Sequence, residues 1–257
     1  MSSAVFWYVQ ARLQARHGER MDEAHWHALE GAQSFLTCLD RTRSTPVSRF
    51  TELVPADASA HVVERRLREA RRGYAEEIAG WMPASWRRAV RWAALLPDLP
   101  ILAYLRNCGA ARPWMMEDPL FGPLAQAPAA ARDAALKEAG LGALAAGSGE
   151  TAIATAWLDR WRSLWPTASR SERRELDTLV AGAACYFERS ASAASGIQGA
   201  NVRRDLARHF NRCFRASMAR PAAVFSHLGL VALDIERLRG GLLRRLLLET
   251  EKSGRAA

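Results

Sequence analysis

His25-Trp26-His27, with His17 and His61 nearby in the chain, are side chains that could hold a metal ion. Metal chemistry needs ligands that converge. Residues two apart on a helix point about 200° apart, so His25 and His27 cannot share an ion there. No H-E-x-x-H or H-x-x-x-H pair is present. The histidines therefore read as surface or packing residues, and no metal is expected. The four cysteines, Cys38, Cys108, Cys185 and Cys213, are far apart and form no C-x-x-C pair. Each lies in a helical pattern, which predicts buried free thiols in a reducing cytoplasm. Nucleophilic catalysis lacks its G-x-S-x-G turn. Gly147-Ser148-Gly149 precedes a helix start, where an anion could sit, but no lysine follows and no strand precedes. It reads as a flexible lead-in with an N-cap. No cofactor and no enzymatic activity are expected.

Two further groups invite a function. Trp81, Trp86 and Trp92 form one cluster, and Trp157, Trp161 and Trp165 stand four apart on one helical face. A ligand or base-stacking platform would look like this. Packing between helices is the commoner use of so much apolar surface. The run RRLREARR (65–72) suggests nucleic acid, but Glu64, Glu69, Glu76 and Glu77 interleave with it and cancel much of its field. It reads as a solvated helix face, with Glu64 and Arg68 at the favourable four-residue spacing, and nucleic acid is not an expected partner. The whole chain of 257 residues has 36 basic and 27 acidic side chains, a net +9. Only Lys137 and Lys252 are lysine. Arginine and alanine enriched together suggest a GC-rich genome, which weakens the inference from basicity to nucleic acid. A +9 charge still favours acidic partners or an anionic membrane surface.

The elements that would position these residues are helices; alternating strand patterns are nearly absent. Val5, Tyr8, Val9, Arg12 and Leu13 open a first helix that ends near Gly18. Asp22 can cap a second, carrying Trp26, Leu29, Phe35, Leu36 and Leu39. Thr45-Pro46 marks a short third. From Ser59 a long helix places Val63, Leu67, Ala70, Tyr74, Ile78 and Trp81 on one stripe. Pro83 starts the next, Pro97 and Pro100 break it, and a short helix ends at Gly109. Residues 111–149 hold Pro113, Pro119, Pro123 and Pro128 and a late glycine cluster, which reads as a linker with at most a short Ala-rich helix. Helical pattern resumes at Glu150. Ser169-x-x-Glu172 is a capping-box signature for the following helix. Residues 190–201 read as a loop, Val202 to Ser217 as a helix, and Pro221 precedes the last. The expectation is an all-α bundle of about nine or ten helices in two lobes, without sheet: 1–110, a linker over 111–149, and 150–257. No run of about 18 apolar residues is present. MSSAVFWYVQARLQAR lacks a basic head and a small-residue cleavage site, so no signal peptide is expected.

The last stretch carries a helical seam at Val224, Leu228, Val231, Ile235, Leu238, Leu242 and Leu246. Charges flank it, and Gly240-Gly241 sits inside. Each interior glycine costs about 0.5–1 kcal/mol relative to alanine, which predicts a bend, a close helix approach or a junction here. A bent seam edged by both signs of charge can complete a socket for another helix.

Two stretches, YVQARLQAR (8–16) and LDIERLR (233–239), resemble the V-type ATPase C/d subunit family. YVQARLQAR, with Tyr8, Ala11, Arg12 and Arg16, is similar to its opening helix, where Tyr-x-x-Ala-Arg is typical. Leu233-Asp234-Ile235-Glu236-Arg237-Leu238-Arg239 is similar to its last helices. VERRLREA (63–70) and LPDLPILAYLRNCG (96–109) fit the order between them. The resemblance covers about residues 5–109 and 200–248; the middle does not match. It implies a funnel-like protein of repeated helical lobes that joins the shaft subunits of a rotary ATPase to the membrane proteolipid ring and catalyses nothing. It places the chain in the cytoplasm, peripheral to the inner face of the cell membrane and touching the membrane through its partners. Arg12, Arg16, Asp234, Glu236 and Arg239 are then the expected partner-binding residues, with Tyr8 and Arg12 structural and the other three near the pocket that receives the shaft. A helical adaptor outside any ATPase, an enzyme built on the tryptophans and histidines, and an arginine-rich nucleic-acid binder are the alternatives.

Overall fold

The computed structural model describes residues 2–108, 110–146, 149–191 and 196–255. Among them are helices and turns and no strand. The N-terminal part comprises α1 (Ser2–Gly18), α2 (Glu23–Glu30), α3 (Phe35–Arg43), α4 (Ser48–Thr51), α5 (Ala60–Trp81), α6 (Ala84–Ala93) and α7 (Leu99–Cys108). Short helices α8 (Pro113–Met116), α9 (Gly122–Gln126) and α10 (Arg132–Glu138) follow. The C-terminal part comprises α11 (Glu150–Ser163), α12 (Arg170–Ala191), α13 (Gly196–Ala216) and α14 (Pro221–Arg255).

Local chemistry sets many of these boundaries. The Asp22, Ser34 and Ser59 side chains accept from the N–H groups of His25, Thr37 and Val62, satisfying donors that a helix start leaves open. The capping box forms in both directions: Glu172 N–H donates to Ser169 Oγ at 3.2 Å, and Ser169 N–H donates to Glu172 Oε2 at 2.8 Å. Where one helix was expected from Asp22 to Leu39, there are two. α2 stops at Gly31, and Ser34 starts α3. The expected loop over 190–201 is helical from Gly196 onward, because Val202, Leu206 and Phe210 pack inward and carry the poor helix formers before them. Gly147 and Ser148 of the anticipated lead-in lie outside the described residues. Gly149, at φ +89°, takes the left-handed conformation ahead of α11.

Of the two tryptophan clusters, Trp86, Trp92, Trp157, Trp161 and Trp165 are buried in the core, and Trp81 packs half-buried against it. Trp157 and Trp161 stack at 5.6 Å, and Trp161 meets Trp165 and Phe225 edge-on at 5.3 and 4.8 Å. Trp92 and Trp157 exchange hydrogen bonds, each indole N–H donating to the other's carbonyl at 3.0 and 3.1 Å. That reciprocal pair satisfies both buried donors and locks α6 against α11.

Segment 111–146 is packed, unlike an exposed linker. Phe121, Leu124, Leu136 and Leu144 are buried and belong to one apolar cluster that runs from Phe6 to Leu242. The four prolines cut the segment into short helices, and each presents one or two side chains to that cluster. The cysteines also divide: Cys38 is buried, Cys213 half-buried and Cys185 exposed, whereas Cys108's side chain lies outside the described residues. A helical pattern alone does not put a residue on the inner face.

α14 runs 35 residues without a break, about 50 Å at 1.5 Å per residue. The expected weak point at Gly240-Gly241 is absent: a Cβ on Gly240 would meet nothing within 4 Å, and Gly241 faces only Arg245 of its own helix. The close approach occurs instead at Gly229, where an added Cβ would lie 2.4 Å from the Phe210 ring of α13.

Candidate functional site

The arginine run of α5 is only partly a solvated face. Arg68 and Arg71 lie on the inward side of the helix with Leu67, and both are buried. Their guanidinium groups reach two aspartates on distant turns. Asp98 ends the 3-10 turn that leads into α7, and Asp118 lies between α8 and α9. Arg71 Nη2 lies 2.8 Å from Asp98 Oδ2, and Arg72 Nη2 lies 3.3 Å from the same oxygen. Arg72 Nη1 donates to Asp118 Oδ1 at 3.0 Å, and Arg68 Nε to Asp118 Oδ2 at 3.4 Å. Arg68 Nη1 donates to Glu64 at 3.1 Å. Glu64 in turn accepts from Arg239 Nε of α14 at 2.6 Å. The result is an alternating chain, Arg239–Glu64–Arg68–Asp118–Arg72–Asp98–Arg71, that runs from the surface into the core.

Asp98 and Asp118 are 0% and 1% exposed, so these pairs are among the costly kind. Burying each ion costs several kcal/mol, which pairing returns only when every partner is in place. The chain therefore specifies geometry: α5, α7, the α8–α9 arm and α14 fit in one arrangement. Burial pushes the Asp118 carboxyl up, but Arg72, the Leu120 N–H and Arg68 outweigh it and hold it below the usual carboxylate range. Burial lowers Arg71, against the pull of Asp98.

Beside this chain lies a cleft of about 390 Å³ between α5, the 96–101 turn, and α11 to α14. Its walls are mostly apolar, with Leu96, Ile101, Phe187, Leu206 and Leu233 prominent. Glu64, Glu150, Glu236 and Arg239 are its charged groups alongside Arg68 and Arg71. Phe210, seated on Gly229, forms part of the lining. A smaller hollow of about 50 Å³ shares Phe210 and Gly229 with it and reaches Trp157 and Trp161. The volume is at the lower end of the range of ligand-sized concavities. None of the six histidines lines the cleft. Among the described residues, no group of three or more His, Cys, Asp or Glu is placed to hold a metal ion.

The five residues expected to bind a partner fall in three places. Glu236 and Arg239 line the cleft, Arg239 paired with Glu64 and Glu236 lying 3.9 Å from Arg203 of α13. Asp234 is turned away and accepts two hydrogen bonds from Arg20, at 2.7 and 2.8 Å. Burial raises its carboxyl, and Arg20 partly offsets this. Arg16 pairs with Glu77 at 3.0 Å on the surface. Arg12 lies on the outer face of α1, its guanidinium 5.0 Å from the Tyr8 ring and 4.8 Å from that of Trp81.

Sequence reasoning missed Arg20, Asp118 and the inward role of Arg71 and Arg72. Asp118 stands 46 and 50 positions from its partners on α5, and no local pattern reports such a pairing. It also missed a buried pair, Tyr74 Oη and His227 Nε2 at 2.7 Å, with the His17 ring 6.3 Å from that of His227. Burial, reinforced by His17, Arg20 and Arg16, lowers His227 to about 3. Burial, with Arg20 and Arg215, lowers His17 to about 4.

No protein-family model, curated protein or solved structure matches the chain.

Proposed function

We propose that this chain is a non-catalytic helical coupling subunit of a V-type-like rotary ATPase, working on the cytoplasmic side between the central shaft and the proteolipid ring. The observation that carries this reading is the position of Glu236 and Arg239. The family resemblance points to them as neighbours of the shaft pocket, and both line an apolar cleft open to a partner. A helix end can bury apolar side chains in the cleft while the mixed charges around it fix its register. Torque transmission needs a body that does not yield, and the ion-pair chain and the unbroken α14 brace that cleft. No helix of the described residues is long and apolar enough to cross a membrane, so in this reading the ring supplies the spans.

The test is co-expression with the shaft and ring subunits encoded in the same genome. The wild-type chain is expected to co-elute with them. Ala232→Trp, which fills the cleft, and Arg239→Glu are expected to release it while their helical signal stays intact. Elution of the wild-type chain alone at micromolar concentration overturns the reading.

A further inference from the structure

The outer face of α1 combines exposed aromatic rings with uncompensated positive charge. Trp7 and Tyr8 are 54% and 51% exposed, the only aromatic residues among the large exposed apolar side chains of the described residues, and Val5 is beside them. α1 holds Arg12, Arg16 and His17 and no acidic residue along its 17 positions. Arg12 is sandwiched between the rings of Tyr8 and Trp81, which places its charge at the centre of the aromatic patch. Phe6 packs edge-on against Trp86 at 6.4 Å, so the start of α6 continues the same end of the molecule. α6 adds exposed Arg87, Arg88 and Arg91. The nearby acids, Glu76 and Glu77, are already paired with Arg91 and Arg16. Arg87 donates to the Met82 carbonyl, and Arg12, Arg87 and Arg88 form no ion pair among the described residues.

We propose that this face binds an anionic lipid bilayer directly, with α1 lying in the plane of the headgroups. Tryptophan and tyrosine prefer that depth because one side of the ring is apolar and the other polar. Arginine beside them meets lipid phosphates, each worth a charge near the surface, with the apolar stem covering ring surface. The bilayer fits better than a protein partner because the patch pairs flat aromatic surface with an excess of positive charge: the acids at its edge, Glu76 and Glu77, are each already held by an arginine, which leaves Arg12, Arg87 and Arg88 over. The inference is independent of the rotary-ATPase reading, which brings the membrane close only through partners.

The experiment is flotation of the purified full chain with phosphatidylcholine vesicles and with vesicles of phosphatidylcholine and phosphatidylglycerol at three to one, at low and high salt. Binding to the anionic vesicles, lost at high salt and absent on phosphatidylcholine alone, is expected. Arg87→Gln/Arg88→Gln lowers partitioning roughly 30-fold, at about one surface charge per arginine. Trp7→Ser/Tyr8→Ser lowers it at least as much. These positions are solvent-exposed, and matching thermal unfolding of variant and parent shows that the fold survives. Three outcomes overturn the proposal. They are no flotation with anionic vesicles, unchanged flotation of the Trp7/Tyr8 variant, and a dimer in solution that Trp7→Ser dissolves, which would give the patch to a second copy.

Discussion

His227 gives the sharpest quantitative test of the packing. Its ring is 0% exposed, on the inner side of α14, and held to Tyr74 of α5 by one hydrogen bond. Burial, then His17, Arg20 and Arg16, disfavours its cation, bringing the folded value to about 3 against 6.5 unfolded. A depressed histidine is neutral in the fold and protonates in the unfolded chain. Its stabilising contribution is complete above pH 6.5 and is lost as pH falls from there toward 3. Between pH 7 and pH 5 linkage gives a loss of about 2 kcal/mol from this one ring. At a denaturant slope of about 2–3 kcal/mol/M, that moves a urea midpoint by roughly 0.7–1 M. His227→Gln removes the titration while the amide oxygen can still accept from Tyr74. Urea midpoints of both proteins are measured at half-unit steps from pH 7.5 to 4.5. The wild type is expected to lose stability faster below pH 6.5. His17 is present in both, so the difference between the profiles reports His227 together with its coupling to His17. Parallel profiles would refute the claim that the ring is held neutral by its surroundings.

Asp98→Asn strips the charge that pairs the buried Arg71 and the half-buried Arg72 and is expected to destabilise by about 3–5 kcal/mol, whereas Glu76→Gln, in an exposed pair with Arg91, costs less than about 1; urea unfolding compares them. Gly229→Ala drives a methyl into Phe210 and is expected to cost about 1–3 kcal/mol, while Gly240→Ala, facing open space, gains about 0.5–1; thermal unfolding reads opposite signs. Phe121→Ala, in the arm between α7 and α11, is expected to cost about 3–5 kcal/mol, and a shift under 1 kcal/mol by calorimetry would mean that the arm is loosely attached.

The helical class and most boundaries were legible because their causes are local. Ser59, Ser169 and Glu172 mark helix starts through hydrogen bonds within three residues. Trp157, Trp161 and Trp165 declare an inner face by spacing alone. What stayed hidden depends on contacts far along the chain. Arg68 and Arg71 look like surface residues until Asp118 and Asp98 are brought to them. Residues 196–201 look like a loop until the packing of α13 outweighs their composition. Prolines made 111–146 look like a tether, although Phe121 and Leu124 were there to be seen as anchors. Gly240-Gly241 drew attention as a breaker, while Gly229, with a neighbour's ring against it, gave no signal in one dimension. Of the cleft, Glu236 and Arg239 were named through resemblance, and the cavity between five helices and the 96–101 turn was invisible to any periodicity.

α14 lies against α1, α3, α5 and α6 from the first half of the chain and against α12 and α13 from the second. Its inner surface, from Ala222 to Leu242, supplies a seam of the shared core. During synthesis it leaves the ribosome after every one of those elements. Until then the helices already made display greasy flanks with no mate. A chain cut ahead of Pro221 would therefore leave that core open along the whole seam.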